Sequence, residues 1–381
     1  MNDYVIWGAG ERGIRALKEI GRENVICFID SDTKKQTELI EGKKIISFEK
    51  FRKITNAKIL VAIEHFEDVV KIIEKFSYEY EIWFPRKNWY GDRTNLLLNP
   101  YINRQMQLAN ENCTKVSDAE IKHLNSCAIQ MAKQDKIFNH IEIETYNRCN
   151  GGCDFCPVSV RHEKRTEKFM SQELFNKIIF ELRKMKFDGC VALFSNNEPF
   201  LDSRLLIFLE IAREQLPNAK MHLFTNGTIL TLEKFKKAIR YLDELIIDNY
   251  SENLKLIPTN KKIYDYCIDN EELSKKVTII LRNPREILEA RAGQAPNKQL
   301  SEELSNVKCV HPFRQMIIRP DGKVSLCCND AIGLTVMGDA SNESLNDIWF
   351  GEKFEQARAE IIKNGRRGFE FCKNCDSMRM V

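Results

Sequence analysis

Three cysteines lie within eight residues, directly after a short apolar segment. Cys149, Cys153 and Cys156 are separated by three and then two residues. Thiolates at this spacing can hold one iron–sulfur cubane, and Gly151 and Gly152 allow the backbone to turn tightly around it. Because no fourth cysteine follows nearby, one iron would stay open to bind a small molecule. The alternative is a zinc knuckle, although a closed zinc site normally takes a fourth ligand.

A second group of cysteines lies towards the C-terminus. Cys309 is followed by Cys327 after 17 intervening residues, and Cys372 and Cys375 are separated by two. Four thiolates can ligate every iron of a second 4Fe-4S cluster, which suits electron transfer. Cys328 directly follows Cys327 and could take its place as a ligand. A zinc ribbon is the alternative for this group.

The first motif resembles that of the radical S-adenosylmethionine (SAM) superfamily, in which the open iron chelates the amino and carboxyl groups of SAM. Phe155 matches the aromatic residue that precedes the last cysteine in that family. The resemblance implies that the reduced cluster passes an electron to SAM. The resulting 5'-deoxyadenosyl radical then takes a hydrogen atom from an unactivated C–H bond.

Further elements match the family's SAM site. Asn196-Asn197-Glu198-Pro199 corresponds to its Gly-Gly-Glu-Pro-like element, which contacts the SAM amino group, with asparagine in place of both glycines. Thr225-Asn226-Gly227 matches its Thr-Asn-Gly element near the cofactor. Arg282 and Arg291 are candidates for the SAM carboxylate, because a guanidinium can bind a carboxylate through two hydrogen bonds. The alternative for each arginine is a solvated surface position.

The second cysteine group resembles the first half of the SPASM pattern that follows many radical SAM barrels, in the shortened version called a Twitch domain. Its layout is similar to that of cyclitol dehydrogenases of the superfamily, which oxidise a secondary alcohol to a ketone. The resemblance therefore implies two 4Fe-4S clusters and a sugar or cyclitol substrate, free or nucleotide-linked. The auxiliary cluster would accept the substrate's second electron.

Three other functions stay open at this point. A sugar epimerase would need a thiol to return a hydrogen atom, and Cys190, Cys267 and Cys328 are the candidate donors. A peptide-modifying SPASM enzyme usually begins with a winged-helix domain, which the N-terminal pattern argues against. A non-enzymatic iron–sulfur or zinc scaffold would leave Glu198 and the Thr225-Asn226-Gly227 element without a role.

A glycine-rich turn lies near the N-terminus. Gly8, Gly10 and Gly13 follow a predicted strand and begin a predicted helix, and Asp30 ends the next strand. In this setting Gly-x-Gly-x-x-Gly allows a phosphate to approach the helix N-terminus, and the carboxylate can bind ribose hydroxyls. The segment resembles the N-terminal domain of bacterial sugar acyltransferases that act on nucleotide-linked sugars. A degenerate unit used only for packing or dimerisation is the alternative.

Strand and helix signals alternate along the chain, which predicts an α/β fold with parallel sheets. We expect a Rossmann-like half domain over residues 1–85, a helical connector over 86–139 and a partial (β/α)6 radical SAM barrel over 140–300. A small iron–sulfur domain is predicted over 301–381, made of a β-hairpin followed by one helix, Ser344 to Lys363.

Composition limits the partners. The 381 residues include 58 Lys and Arg against 55 Asp and Glu, a net charge of +3, and the charges are interleaved, so nucleic acid is not an expected partner. No stretch has the roughly 20 apolar residues of a membrane helix, and the N-terminus has no signal-peptide pattern. We therefore expect a cytoplasmic protein, and the resemblance to radical SAM enzymes implies flavodoxin or a ferredoxin as its reductant.

Overall fold

The computed structural model describes residues 4–54, 57–85, 96–101, 116–298 and 304–378. The chain forms two compact units, Met1–Arg86 and Lys87–Val381. Within the described residues, no helix combines the length and the apolar character that crossing a membrane requires.

The first unit is a six-stranded sheet with helices between its strands. Five strands are parallel in the order β4-β2-β1-β5-β6, and β3 lies antiparallel to β4 at one edge. This is the order of a doubly wound sheet, whose chain reverses direction beside β1. The elements are β1 (Tyr4–Trp7), α1 (Glu11–Ile20), β2 (Val25–Ile29), β3 (Leu39–Ile40), β4 (Lys43–Ile46), α2 (Phe48–Ile54), β5 (Lys58–Val61), α3 (Glu67–Lys75) and β6 (Tyr80–Ile82).

The second unit is a nine-stranded sheet in the order β15-β14-β13-β8-β9-β10-β11-β12-β7. Strands from β13 through β7 all pair in parallel, and β14 and β15 are antiparallel. The strands are β7 (Leu97–Leu98), β8 (His140–Ile143), β9 (Cys190–Ala192), β10 (Lys220–Thr225), β11 (Glu244–Tyr250), β12 (Val277–Arg282), β13 (Gln315–Ile318), β14 (Lys323–Ser325) and β15 (Gly338–Asp339). The predicted α/β class with a partial barrel is confirmed.

Helices of the second unit cover the outside of this sheet. Helix α5 shows why: its buried residues Phe175, Ile178, Ile179 and Leu182 recur at helical spacing, and Ser171 caps its N-terminus by accepting from the Leu174 N–H. The helices are α4 (Asp118–Gln134), α5 (Gln172–Lys184), α6 (Leu205–Gln215), α7 (Leu232–Ala238), α8 (Pro258–Cys267), α9 (Glu271–Lys276), α10 (Leu345–Trp349) and α11 (Glu352–Asn364).

Two details differ from the sequence-based expectations. The predicted connector over 86–139 contains helix α4 but also supplies β7, which extends the parallel sheet beside β12 at the pair Leu97–Ile279. The predicted single helix Ser344 to Lys363 is two helices, α10 and α11. Gly351 lies between them. This position requires glycine, because a Cβ there would lie 2.6 Å from the Asp347 carbonyl oxygen.

Strand β8 leads directly into the first cysteine motif. Ile141 and Ile143 point into the apolar core beneath the helices. His140 and Glu142 alternate with them and therefore lie on the opposite, concave face of the sheet. The chain leaves β8 directly into the segment that carries the first cysteine motif.

Candidate functional site

One cavity of about 490 Å³ lies where the strands of the barrel end. Parallel α/β sheets commonly bind ligands outside the carboxyl ends of their strands, and this volume is in the range of small-molecule sites. Every residue predicted for the first cluster and for SAM lines it, namely Cys149, Cys153, Phe155, Cys156, Asn196, Asn197, Glu198, Thr225, Asn226, Arg282 and Arg291.

The three thiols of the first motif converge on one side of this cavity. A Cβ built on Gly151 would lie 3.3 Å from the Cys149 sulfur and 3.9 Å from the Cys153 sulfur, and the Gly151 N–H donates to Cys149 Sγ at 3.3 Å. Burial, reinforced by the nearby charges of Glu198 and Cys156, raises the pKa of Cys149 to about 12. Three thiolates this close together need cations between them, so the donor set fits an iron–sulfur cluster.

The Thr225-Asn226-Gly227 turn is attached to the cysteine segment. Asn226 Nδ2 donates to Asn150 Oδ1 at 2.9 Å and lies 3.9 Å from Cys149 Sγ. Glu198 supports the same turn, since its carboxylate accepts from the Thr225 hydroxyl and the Asn226 N–H at 2.7 Å each. The Phe200 N–H is a third donor to Glu198, at 3.1 Å. The Glu198 carboxylate is thus a hydrogen-bond acceptor for two residues of this turn.

The two asparagines that replace the family's glycines have different surroundings. Asn197 Oδ1 accepts from the Ser195 N–H at 3.0 Å, while its Nδ2 is buried without a hydrogen-bond partner at the cavity wall. A buried donor of this kind needs an acceptor, which fits a polar group of SAM. Asn196 instead donates to the Cys328 carbonyl at 3.3 Å and accepts from Arg291.

The two candidate arginines are both at the cavity but are held differently. Arg282, at the end of β12, forms an ion pair with Glu286 at 2.7 Å. Tyr101 completes this group by donating to Glu286 at 2.6 Å. Arg291 donates to the Cys328 carbonyl at 2.8 Å. It has a φ of 50°, and Ala292 follows with 55°, a left-handed backbone that is uncommon outside glycine.

The second cysteine group forms a separate buried site. Cys309, Cys327, Cys372 and Cys375 are each at most 7% exposed. Burial is the main cause that raises the pKa values of Cys327 and Cys372, and the nearby thiols raise them further. Asn329 Nδ2 lies 3.7 Å from Cys375 Sγ. The twelve cysteines within the described residues are all free thiols. Four buried thiols without disulfides fit a fully ligated cluster.

Comparison with known proteins agrees with both sites. Residues 143–260 match the radical SAM superfamily, and residues 309–376 match the SPASM iron–sulfur cluster-binding domain. The chain is a radical SAM enzyme. SAM and iron–sulfur clusters are therefore its cofactors, and the predicted resemblance is confirmed.

A curated sequence and a solved structure are each similar over most of their own length. The SAM-dependent 2-deoxy-scyllo-inosamine dehydrogenase of Niallia circulans is 28% identical over 247 residues, which are 64% of this chain and 95% of that protein. The crystal structure of BtrN with AdoMet and 2-DOIA superposes with a TM-score of 0.57 at 25% identity, covering 64% of this chain and 94% of BtrN. About a third of this radical SAM enzyme thus lies outside each match.

The candidate hydrogen donors lie in three different places in the radical SAM enzyme. Cys328 lines the cavity beside Asn329. Cys267 is buried at the C-terminus of α8, within the apolar core. Cys190 begins β9 and lies close to His140 and His222. Of the three, Cys328 is the one that the structure places at the cavity.

Sequence reasoning missed Arg165, which connects several parts of the site. Its guanidinium contacts the carboxylates of Glu144 and Glu163 at 3.0 and 2.8 Å. It also donates to the Asn196 carbonyl at 3.0 Å and the Ala331 carbonyl at 3.3 Å. The long sequence separations from Asn196 and Ala331 explain the miss, because no local motif contains those two partners. Glu142, Asp248 and Glu289 also line the cavity and were not singled out.

The predicted nucleotide-site residues of the first unit lie together in the β1–α1 turn. Gly8 has a φ of 117°, and a Cβ on Gly13 would lie 1.8 Å from the Gly8 oxygen, so both positions require glycine. A Cβ on Gly10 would meet nothing within 4 Å. Asp30 accepts from the Ala9 N–H at 2.9 Å and pairs with Lys35 at 3.2 Å. Nucleotide binding here stays a prediction.

Proposed function

We propose that this enzyme oxidises a secondary alcohol of a cyclitol or sugar to a ketone. One observation carries the proposal: the cavity is bordered both by the residues expected around SAM and by Cys328-Asn329, which directly follow the auxiliary-cluster cysteine Cys327. A substrate in this cavity would lie between the source of the radical and an acceptor for the second electron.

The relatives support the reaction type. The Niallia circulans protein is a dehydrogenase of 2-deoxy-scyllo-inosamine, and BtrN was crystallised with 2-DOIA. The cavity's polar lining is compatible with a polyhydroxylated ring, because Glu142, Asp248, Glu289 and Arg291 all border it. Carboxylates and guanidinium groups bind hydroxyl and amino groups through charge-assisted hydrogen bonds.

The protein's own residues have three tasks in this reaction. When bound, SAM and its cluster supply a 5'-deoxyadenosyl radical that removes a hydrogen atom from the carbinol carbon. The cavity walls orient that carbon and keep water away. The hydroxyl proton must also leave, and Glu142 and Asp248 are acceptors at the wall. Loss of one hydrogen atom, one proton and one electron balances the two-electron oxidation.

The test is product mass in deuterated water, with 2-deoxy-scyllo-inosamine as the first substrate tried and a panel of cyclitols and nucleotide sugars after it. Oxidation gives a product two mass units lighter than the substrate and one 5'-deoxyadenosine per ketone. A product of unchanged composition with one carbon-bound deuterium would refute dehydrogenation.

Epimerisation is the second candidate, because Cys328 places a thiol at the cavity wall. A thiol there could return a hydrogen atom to the opposite face of the substrate radical. In that case the deuterium would appear in the product and would be lost in Cys328→Ala. Dehydrogenation instead predicts that Cys328→Ala still forms ketone.

We also propose that the enzyme works in the cytoplasm with a flavodoxin or ferredoxin as reductant. Low-potential iron–sulfur chemistry and the twelve free thiols among the described residues suit a reducing compartment. Reduction of the purified enzyme by flavodoxin and its reductase, followed by SAM cleavage, tests this pairing.

A further inference from the structure

Two histidines and a cysteine meet inside the barrel, apart from both cluster sites. His140, Cys190 and His222 are only 2%, 1% and 3% exposed. One donor atom of each side chain lies within 4.8 Å of the other two. Their types and proximity suggest a metal site.

The register of the parallel strands brings the three side chains together. His140 and Cys190 are direct partners across β8 and β9. His222 of β10 is the partner of Ala192, two residues beyond Cys190 on β9. Residues two apart on a strand share a face, so all three side chains lie on one face of the sheet. Glu142 lies on the same face.

We propose that His140, Cys190 and His222 bind a divalent transition metal, with zinc as the first candidate. Imidazole nitrogen and thiolate sulfur are the ligands that zinc takes most often in proteins, and sites with three protein ligands keep a fourth position for water. Bonds of about 2.0 and 2.3 Å to a tetrahedral ion put such donors about 3.5 Å apart. Small side-chain rotations reach that separation from the present spacing.

The Glu142 carboxylate lies within hydrogen-bond distance of the His140 ring. His140 Nε2 lies 3.1 Å from Glu142 Oε1, and the other Glu142 oxygen accepts from the Ser195 hydroxyl at 2.7 Å. Metal-ligating histidines usually donate their second ring N–H to a carboxylate, which fixes the ring and its tautomer. If Nε2 keeps this contact, His140 would bind the metal through Nδ1.

The charges also balance. A divalent cation bound to one thiolate and two neutral imidazoles keeps one positive charge, and the carboxylate of Glu142, about 3% exposed, compensates it. Buried charges persist when they are paired in this way. The His140 and His222 rings are stacked, with centroids 5.2 Å apart and planes inclined by 30°. The rival arrangement is a metal-free hydrogen-bonded group of the same residues.

The experiment uses the full chain, produced with added zinc and reconstituted anaerobically to about 8 irons. We expect about one tightly held zinc per chain by elemental analysis after passage over a chelating resin. X-ray absorption at the zinc edge should show one sulfur at about 2.3 Å and nitrogen or oxygen neighbours at about 2.0 Å. A sulfur-only shell would place the zinc in a cluster site and overturn the proposal, as would a fully iron-loaded chain without zinc.

Variants then assign the ligands. Cys190→Ala and His222→Gln should each lose the zinc and keep the iron of both clusters. Cys267→Ala is the matched control, because it removes another fully buried cysteine and should keep the zinc. Zinc retained in both ligand variants would contradict the proposal. The wild-type absorption spectrum decides the matter even if a variant fails to fold.

Discussion

Glu198 and Thr225 are joined by a 2.7 Å hydrogen bond in which the hydroxyl donates to the buried carboxylate. Together with the Asn226 N–H, this bond connects the loop after β9 to the turn after β10, and both segments line the cavity. Glu198 therefore holds these two segments of the cavity lining together, in addition to any contact it makes with SAM.

The burial of Glu198 predicts a pH-dependent stability. Burial raises its pKa to about 7, from about 4.5 for the free side chain. The folded state then binds a proton that the unfolded state has released, so the carboxyl group's contribution to stability falls as the pH rises through this window. Between pH 6 and 8 the loss is on the order of 1 kcal/mol. Thermal unfolding of the anaerobic enzyme at both pH values measures it.

Glu198→Gln is the matched variant for this effect. The amide cannot titrate, so the difference in melting temperature between pH 6 and 8 should shrink. An amide N–H₂ would also face a protein donor, which costs about 1–3 kcal/mol at a buried site. An unchanged pH dependence in this variant would assign the titration to another group.

Iron content should distinguish the adjacent cysteines. Cys327 is buried among Cys309, Cys372 and Cys375, whereas Cys328 lines the cavity. We expect the iron content per chain to fall from about 8 to about 4 in Cys327→Ala and to stay near 8 in Cys328→Ala. The triple replacement of Cys149, Cys153 and Cys156 by Ala should also leave about 4. The reverse result for the adjacent pair would exchange their roles.

Arg291 should be needed for substrate oxidation more than for cluster assembly. It holds Asn196 on the SAM side and the Cys328 carbonyl on the auxiliary side. Losing charge-assisted hydrogen bonds of this kind costs about 1.5–3 kcal/mol, so Arg291→Ala should slow ketone formation about 10- to 100-fold. Iron content should stay unchanged. A variant that loses iron and ketone formation together would show a structural role instead.

One substitution in the first unit can test the predicted nucleotide binding without disturbing the fold. Gly10 has ordinary extended backbone and open space around its Cβ position, so Gly10→Val should fold normally. If a phosphate binds at the start of α1, the valine should block it. Calorimetric titration of the full chain with nucleotide sugars should then give heat in the wild type and none in Gly10→Val. No heat in the wild type with any of them would favour a packing role. Gly13→Val is unsuitable because its Cβ would overlap the Gly8 oxygen.

The sequence predicted those parts of the site that depend on local spacing. The first cysteine motif, Phe155 and the Thr225-Asn226-Gly227 element are each encoded within a few residues, and the structure brings them to one cavity. The alternation of strands and helices likewise sufficed for the α/β class.

The parts that were missed depend on contacts between distant segments. Arg291 and Asn196 were each predicted at the site, but their mutual contact spans 95 residues of sequence. Arg165, which was missed, meets Ala331 across 166 residues. Strand β7 has only two residues, too few for a periodicity to be recognised. His140, Cys190 and His222 are unremarkable in the sequence because strand register alone makes them neighbours.

Strand β13 pairs in parallel with β8, so the segment that carries Cys327 is hydrogen-bonded into the same sheet as the barrel. The two predicted cluster sites therefore belong to one continuous hydrogen-bonded sheet. If this sheet moves as one body, electron tunnelling from substrate to the auxiliary centre occurs over a fixed gap, insensitive to solvent viscosity. The same continuity means that the auxiliary segment cannot be deleted or exchanged without exposing the edge of β8, so a graft from another enzyme would have to bring its own matching strand.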